Sequence, residues 1–196
     1  MSLQTRVTGI LTKPADEWPA IAAETIDPVG LMRDYAAPLA AIPSVCRFIG
    51  MTVVGISVPL LGTTIRTGIV RGAAGAIVSW VFALAGAWLA AMVVEKLAPT
   101  FQSRGSMVHA LKLVVYSMTP VWVAGVLNLI PALAPLGIIA ALYSVYIFYL
   151  GLPVMMETPA DKVVPYMAVS ALVIIVLSII LGAFAAAVTG LSGYGL

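Results

Sequence analysis

The chain has 196 residues, 62% of them hydrophobic and 9% charged, with a net charge of +2 and a mean hydropathy of +1.10. Soluble domains carry about 25% charged residues, so this composition excludes a water-soluble fold and describes an integral membrane protein. The charge is too small and dispersed for nucleic-acid binding, and a lone cysteine, Cys46, excludes an intrachain disulfide.

Residues 1–34 read as one or two short amphipathic helices on the cytoplasmic face, lying on the membrane or on the bundle, or docking a partner. Val7, Ile10 and Leu11 share one face. Pro14 suits a first helical turn, Asp16 and Glu17 are favourable near a helix N-terminus, and Trp18, Ile21 and Ala22 recur at i, i+3, i+4. Trp18 beside Pro19 suits the headgroup layer, where an indole buries its ring and keeps its N–H wet. The first apolar run begins too late for a cleaved secretory signal, so insertion through an internal signal-anchor is expected.

A bilayer core of about 30 Å needs about 20 apolar helical residues to cross it. Runs without a charged side chain extend over Phe48–Ile65, Gly72–Val94, Leu113–Met156 and Val163–Leu196. The third holds 44 residues, which is two crossings, with Pro131 and Pro135 where the chain must turn. The expected fold is all-α: a five-span transmembrane bundle over residues 35–196, with spans at about 45–65, 72–94, 112–131, 135–156 and 164–189.

The first span has two registers. It starts near Ala36 with Arg47 well inside, or near Phe48 with Arg47 snorkelling to the interface. The second is preferred, which leaves Pro38 and Pro43 in a lead-in and Pro59 near the outer end. Span two carries small residues at Gly72, Ala76, Ala83, Ala87 and Ala91, and span five at Gly182, Ala186 and Gly190. In lipid such faces mark close helix packing, within the bundle or in a homo-oligomer.

Span three contains Tyr116, Ser117, Thr119 and Pro120. Pro120 should kink the helix, and Ser117 and Thr119 can satisfy the freed carbonyls. Asn128 is the amide near the far end of this span, and span four carries Tyr143, Ser144, Tyr146 and Tyr149. Hydroxyls in hydrocarbon need partners; interhelical hydrogen bonds and a polar cavity between spans three and four are the two ways to supply them.

With the N-terminus inside, eight basic residues face the cytoplasm and two, Arg66 and Arg71, face out. The positive-inside rule favours this orientation, with the C-terminus outside. Lys96, Arg104 and Lys112 then fall in one inner loop and Lys162 in the next. Catalytic chemistry has no foothold: His109 is the only histidine, and no HExxH, Cys/His cluster or pair of intramembrane acids occurs. No catalytic, cofactor or metal residue is therefore assigned.

Several segments in order resemble the bacterial branch of the Yip (Ypt-interacting protein) domain family. They are Pro14 with Trp18, Ile21 and Glu24; Asp34-Tyr35-Ala36-Ala37-Pro38-Leu39, akin to the family's DLYGP-like stretch; Leu97 to Phe101; Ala110-Leu111-Lys112; Tyr116 to Pro120; Leu129-Ile130-Pro131; Leu142 to Pro153; and Pro159 to Lys162 with Tyr166. The resemblance implies a cytoplasmic N-terminal segment before a five-span bundle, without enzyme activity. Eukaryotic members bind Rab GTPases in endoplasmic reticulum and Golgi membranes; for a bacterial-type chain it implies a scaffold or adaptor in the inner membrane that holds a membrane or cytoplasmic protein partner. Trp18, Asp34, Tyr35 and Pro38 are the residues expected on the partner face. The alternative is a small-molecule or lipid transport protein whose cavity is lined by Tyr116, Ser117, Thr119, Pro120, Asn128, Tyr143 and Tyr146.

Overall fold

The computed structural model describes residues 2–58 and 63–191, with residues 185–191 described by backbone alone. Two short helices, α1 (Leu3–Thr12) and α2 (Pro14–Ala23), precede five helical spans. Span 1 is Pro28–Val54, span 2 Ile69–Phe101, span 3 Met107–Leu129, span 4 Pro131–Met156 and span 5 begins at Val163. All five are long and apolar enough to cross a membrane. The protein is an all-α polytopic membrane bundle, as its composition requires.

Span 3 is the hub. Of its apolar stretch 67% is buried, against at most 22% in the other spans, because spans 1, 2 and 4 all pack on it. Span 2 also packs on spans 1 and 5, and its buried residues Ala87, Ala90, Ala91 and Val94 are small enough for close approach. Ala186 and Gly190 lie beyond the residues whose side chains are described.

Span 1 corrects the preferred register. Its helix begins at Pro28, inside the stretch expected to form a separate N-terminal segment, and ends at Val54. Arg47 therefore lies within the helix, seven residues or roughly 10 Å from its end, with its side chain exposed. The prolines do not form a lead-in. Pro38 has no N–H for the Asp34 carbonyl, and the turn Met32–Ala36 widens to i→i+5 winding, closed by the Ala37 N–H on the Met32 carbonyl. Pro43 stays in the helix against Gly125 of span 3, where any side chain would collide with it.

Past Val54 the chain turns at Gly55, whose φ of 77° suits glycine. Residues expected to finish span 1 instead form a small antiparallel hairpin, β1 (Ile56–Val58) with β2 (Thr63–Ile65), in which Ile56 opposes Ile65. Five of these six residues are β-branched Ile, Val or Thr, which favours strand over helix. Pro59 lies outside the described residues.

Candidate functional site

The most heavily cross-linked part of the molecule is the end where α1 and α2 lie over the bundle. Trp18 and Ile21 of α2 and Ile10 of α1 are fully buried. The Trp18 Nε1–H donates to the Ile147 carbonyl of span 4 at 3.1 Å. Its ring fills the space beside Gly151, where even a methyl group would overlap the indole. Trp18 is thus an internal wedge: the segment lies on the bundle, and the headgroup position that suited the indole is corrected. An amphipathic helix has the same sequence pattern whether its apolar face meets lipid or protein.

The carbonyls that end both short helices are satisfied by side chains from the spans. A helix leaves its last four C=O groups without partners, and its C-terminal end is electronegative. Tyr143 donates its hydroxyl to the Leu11 carbonyl of α1 at 2.8 Å. Lys112 donates its ammonium to the Ile21 carbonyl at 2.8 Å and to the Glu24 carbonyl at the end of α2. Lys112 is 2% exposed, so its expected place in a loop is corrected: it is a buried cation that caps a helix.

A second buried cation completes the network. Arg6 of α1 is 4% exposed and pairs with both Glu17 and Glu24. Its guanidinium also lies 5.7 Å from the centre of the Tyr116 ring, within cation–π range. Two cations and two carboxylates share the site, so it is close to neutral. Burying such ions costs several kcal/mol each unless they are paired or hydrogen-bonded; here Arg6 pairs with both carboxylates and Lys112 is held by two backbone carbonyls.

Tyr116 joins this network to span 1. Its ring meets Trp18 edge-on at 6.5 Å and Tyr35 at 4.7 Å. The Tyr35 hydroxyl hydrogen-bonds the Thr119 hydroxyl at 2.9 Å. Between α1 and the start of span 1 a cleft of about 540 Å³ remains, with Tyr35 and Tyr116 at its floor and Arg6, Glu24, Thr25 and Asp34 along its walls. Asp34 is exposed and holds Arg33 at 2.6 Å.

The structure regroups the residues singled out in the sequence. Asp34, Tyr35 and Tyr116, expected on two different sites, share one cleft, with Trp18 and Thr119 behind it. Pro38 is exposed one turn further along span 1. The residues expected to line a cavity between spans 3 and 4 do not gather there. Tyr143 serves α1, and Tyr146 stacks on it, half exposed. Asn128 sits at the opposite end, its backbone carbonyl against Gly50 of span 1.

Span 3 does break at Met118, just before Pro120. The hydroxyls nearby play different parts from those expected: Thr119 is committed to Tyr35, and the Ser117 Oγ is buried without a partner. The lone histidine has a structural task, its Nδ1 lying 2.9 Å from the Ser106 hydroxyl in a reciprocal cap that starts span 3. Among the described residues no group of His, Cys, Asp and Glu could hold a metal ion.

Sequence reasoning gave Arg6, Glu17 and Lys112 no part in a site: Arg6 and Lys112 counted as cytoplasmic charges, Glu17 as an acid at a helix start, and Lys112 and Glu24 as pieces of the resemblance. Their partners lie up to 91 residues apart, so no local pattern reveals them. The one available signal is Lys112 itself, a charge placed directly before 44 uncharged residues.

Five apolar spans with a two-helix cap clamped over one end define a polytopic helical membrane protein with a polar cleft under its cap. A family model, the Yip1 domain, matches residues 8–183, and the chain belongs to the Yip1 domain family, in agreement with the resemblance read from its segments. It is 29% identical to the inner membrane protein YohC of Escherichia coli over 150 residues, which cover 75% of this chain and 76% of that protein. The YohC protein of a second strain of that species gives the same figures. No solved structure matches the chain.

Proposed function

We propose that the protein is a non-enzymatic adaptor of the bacterial inner membrane, with its capped end in the cytoplasm and its C-terminus outside. A segment of a partner protein docks in the cleft between α1 and the start of span 1. The observation that carries this reading is the cleft's construction. Aromatic rings form its floor, Asp34 stands exposed at its rim, and the cap is fixed by Trp18, Lys112 and Tyr143, so the surface exists before a partner arrives. A preorganised surface binds more tightly because less ordering is required on association.

The expected partner residues then divide by task. Asp34 and Tyr35 face the docked segment. Trp18 supports Tyr116 from behind, and Pro38 sets the wide turn that presents Asp34. Support for the inner-membrane location comes from YohC, described as an inner membrane protein, and for the orientation from the distribution of basic residues.

Photo-crosslinking in native membranes tests the reading. A photoreactive residue replacing Thr25 should capture a discrete protein that one replacing lipid-facing Leu142 does not, and Asp34→Lys should abolish the adduct. Recovery of self-adducts and lipid alone from position 25 would sink the adaptor reading. For the orientation, Asp16→Cys in a Cys46→Ser background should react with an impermeant maleimide only after the inner membrane is opened; labelling in sealed cells would reverse it.

A further inference from the structure

The other end of the bundle holds a groove of different character. All eight acidic residues lie at Asp34 or before it, or at Glu95 or after it, on the capped side of the molecule. The hairpin end carries Arg47, Arg66 and Arg71 with no acidic side chain near them in sequence or across the bundle. Arg47 of span 1 and Arg71 of span 2 line one cavity of about 510 Å³, together with Ser44 and Thr67. Ser44 is only 8% exposed.

Span 2 begins in the same cavity. Its N-cap, Gly68, supplies no side-chain acceptor, so the first N–H groups of this helix add a positive end to the two guanidiniums. The cavity continues along span 2. It shares Ser79 and Gly182 with a second, mainly apolar cavity of about 310 Å³ that runs past Phe82, Gly86 and Ala90 against Leu181 of span 5. From Ser79 to Ala90 a helix rises roughly 16 Å, about the depth of one leaflet of a bilayer with a hydrocarbon core of about 30 Å.

We infer that this groove is a binding site for one anionic glycerophospholipid, its phosphate between Arg47 and Arg71 and an acyl chain lying between spans 2 and 5. The charge is complementary, since the head end presents cations and hydroxyls without an acid. The tail end has room: a methyl group added at Gly182, which both cavities share, would meet no neighbouring element within 4 Å among the described residues. An arginine near a membrane surface favours an anionic lipid by about 1 kcal/mol, roughly fivefold in affinity.

Purified full-length protein in mixed micelles of phosphatidylglycerol and phosphatidylcholine, read by native mass spectrometry, tests the site. Wild type should retain one phosphatidylglycerol in preference to phosphatidylcholine. Arg47→Gln or Arg71→Gln should lower that preference roughly fivefold each. Gly182→Leu, which fills open space, should expel the lipid while the helical circular dichroism spectrum is unchanged. Equal retention of the two lipids by wild type would overturn the site. So would a preference untouched by both arginine changes, displacement of the lipid by millimolar inorganic phosphate as readily as by phosphatidylglycerol, or a Gly182→Leu variant that alters oligomeric state and leaves the lipid bound.

Discussion

Two glycines show how differently the ends of this bundle are built. At Gly151 an added methyl group would run into the Trp18 ring and come within 2.7 Å of Leu113; at Gly182 it would meet no neighbouring element within 4 Å among the described residues. The capped end is packed and electrically closed, with Arg6 pairing Glu17 and Glu24, Lys112 closing the end of α2 and Tyr143 the end of α1. The hairpin end is open, and its arginines have no acidic partner among the described residues. Lipid supplies no hydrophobic drive between helices, so where the bundle needs a fixed shape it uses polar contacts that are costly to leave unmade. Where it leaves them unmade, something from outside is expected to fill the gap.

Substitutions at the two ends sharpen this contrast. The largest effect is expected from Gly151→Leu, which has no room beside Trp18: the cap should detach and the variant should fail to assemble in detergent, read by size-exclusion chromatography. Lys112→Ala comes next. It leaves two helix-terminal carbonyls and the Arg6–Glu pairs without a neighbouring cation, and breaking a buried charge network typically costs about 3–5 kcal/mol, read as a fall in the thermal unfolding midpoint. Tyr143→Phe removes only the hydrogen bond to Leu11 and should cost about 1 kcal/mol. Gly182→Ala should lie between neutral and about 1 kcal/mol stabilising, since it replaces a helix glycine where space is free. If Gly182→Ala proved as damaging as Lys112→Ala, the two ends would not differ as described.

The five spans were legible because a bilayer tolerates so few sequences: charge-free runs of sufficient length, broken at Pro131 and Pro135, leave little choice. The register of span 1 was not. Arg47 and two prolines argued against a helix through that region, but the wide turn before Pro38 and the small Gly125 opposite Pro43 accommodate them, and neither accommodation is local in sequence. The candidate site was half legible. Asp34, Tyr35 and Tyr116 were singled out, yet their meeting in one cleft depends on how span 1 crosses span 3. Trp18 was rightly marked as a special residue of α2, but periodicity cannot distinguish a face that meets headgroups from one that meets span 4. Lys112 was missed because counting charges assigns every lysine to a loop, and only its partners at Ile21 and Glu24 explain its burial.

The account rests on α1 and α2 being part of the folded bundle, so the most direct measurement is hydrogen–deuterium exchange of the full chain in lipid nanodiscs, wild type beside Trp18→Ala. Residues 3–23 should exchange slowly in wild type and approach the rates of an unstructured peptide in Trp18→Ala while span 3 remains protected. Residues 3–23 exchanging in wild type as fast as free peptide would contradict it.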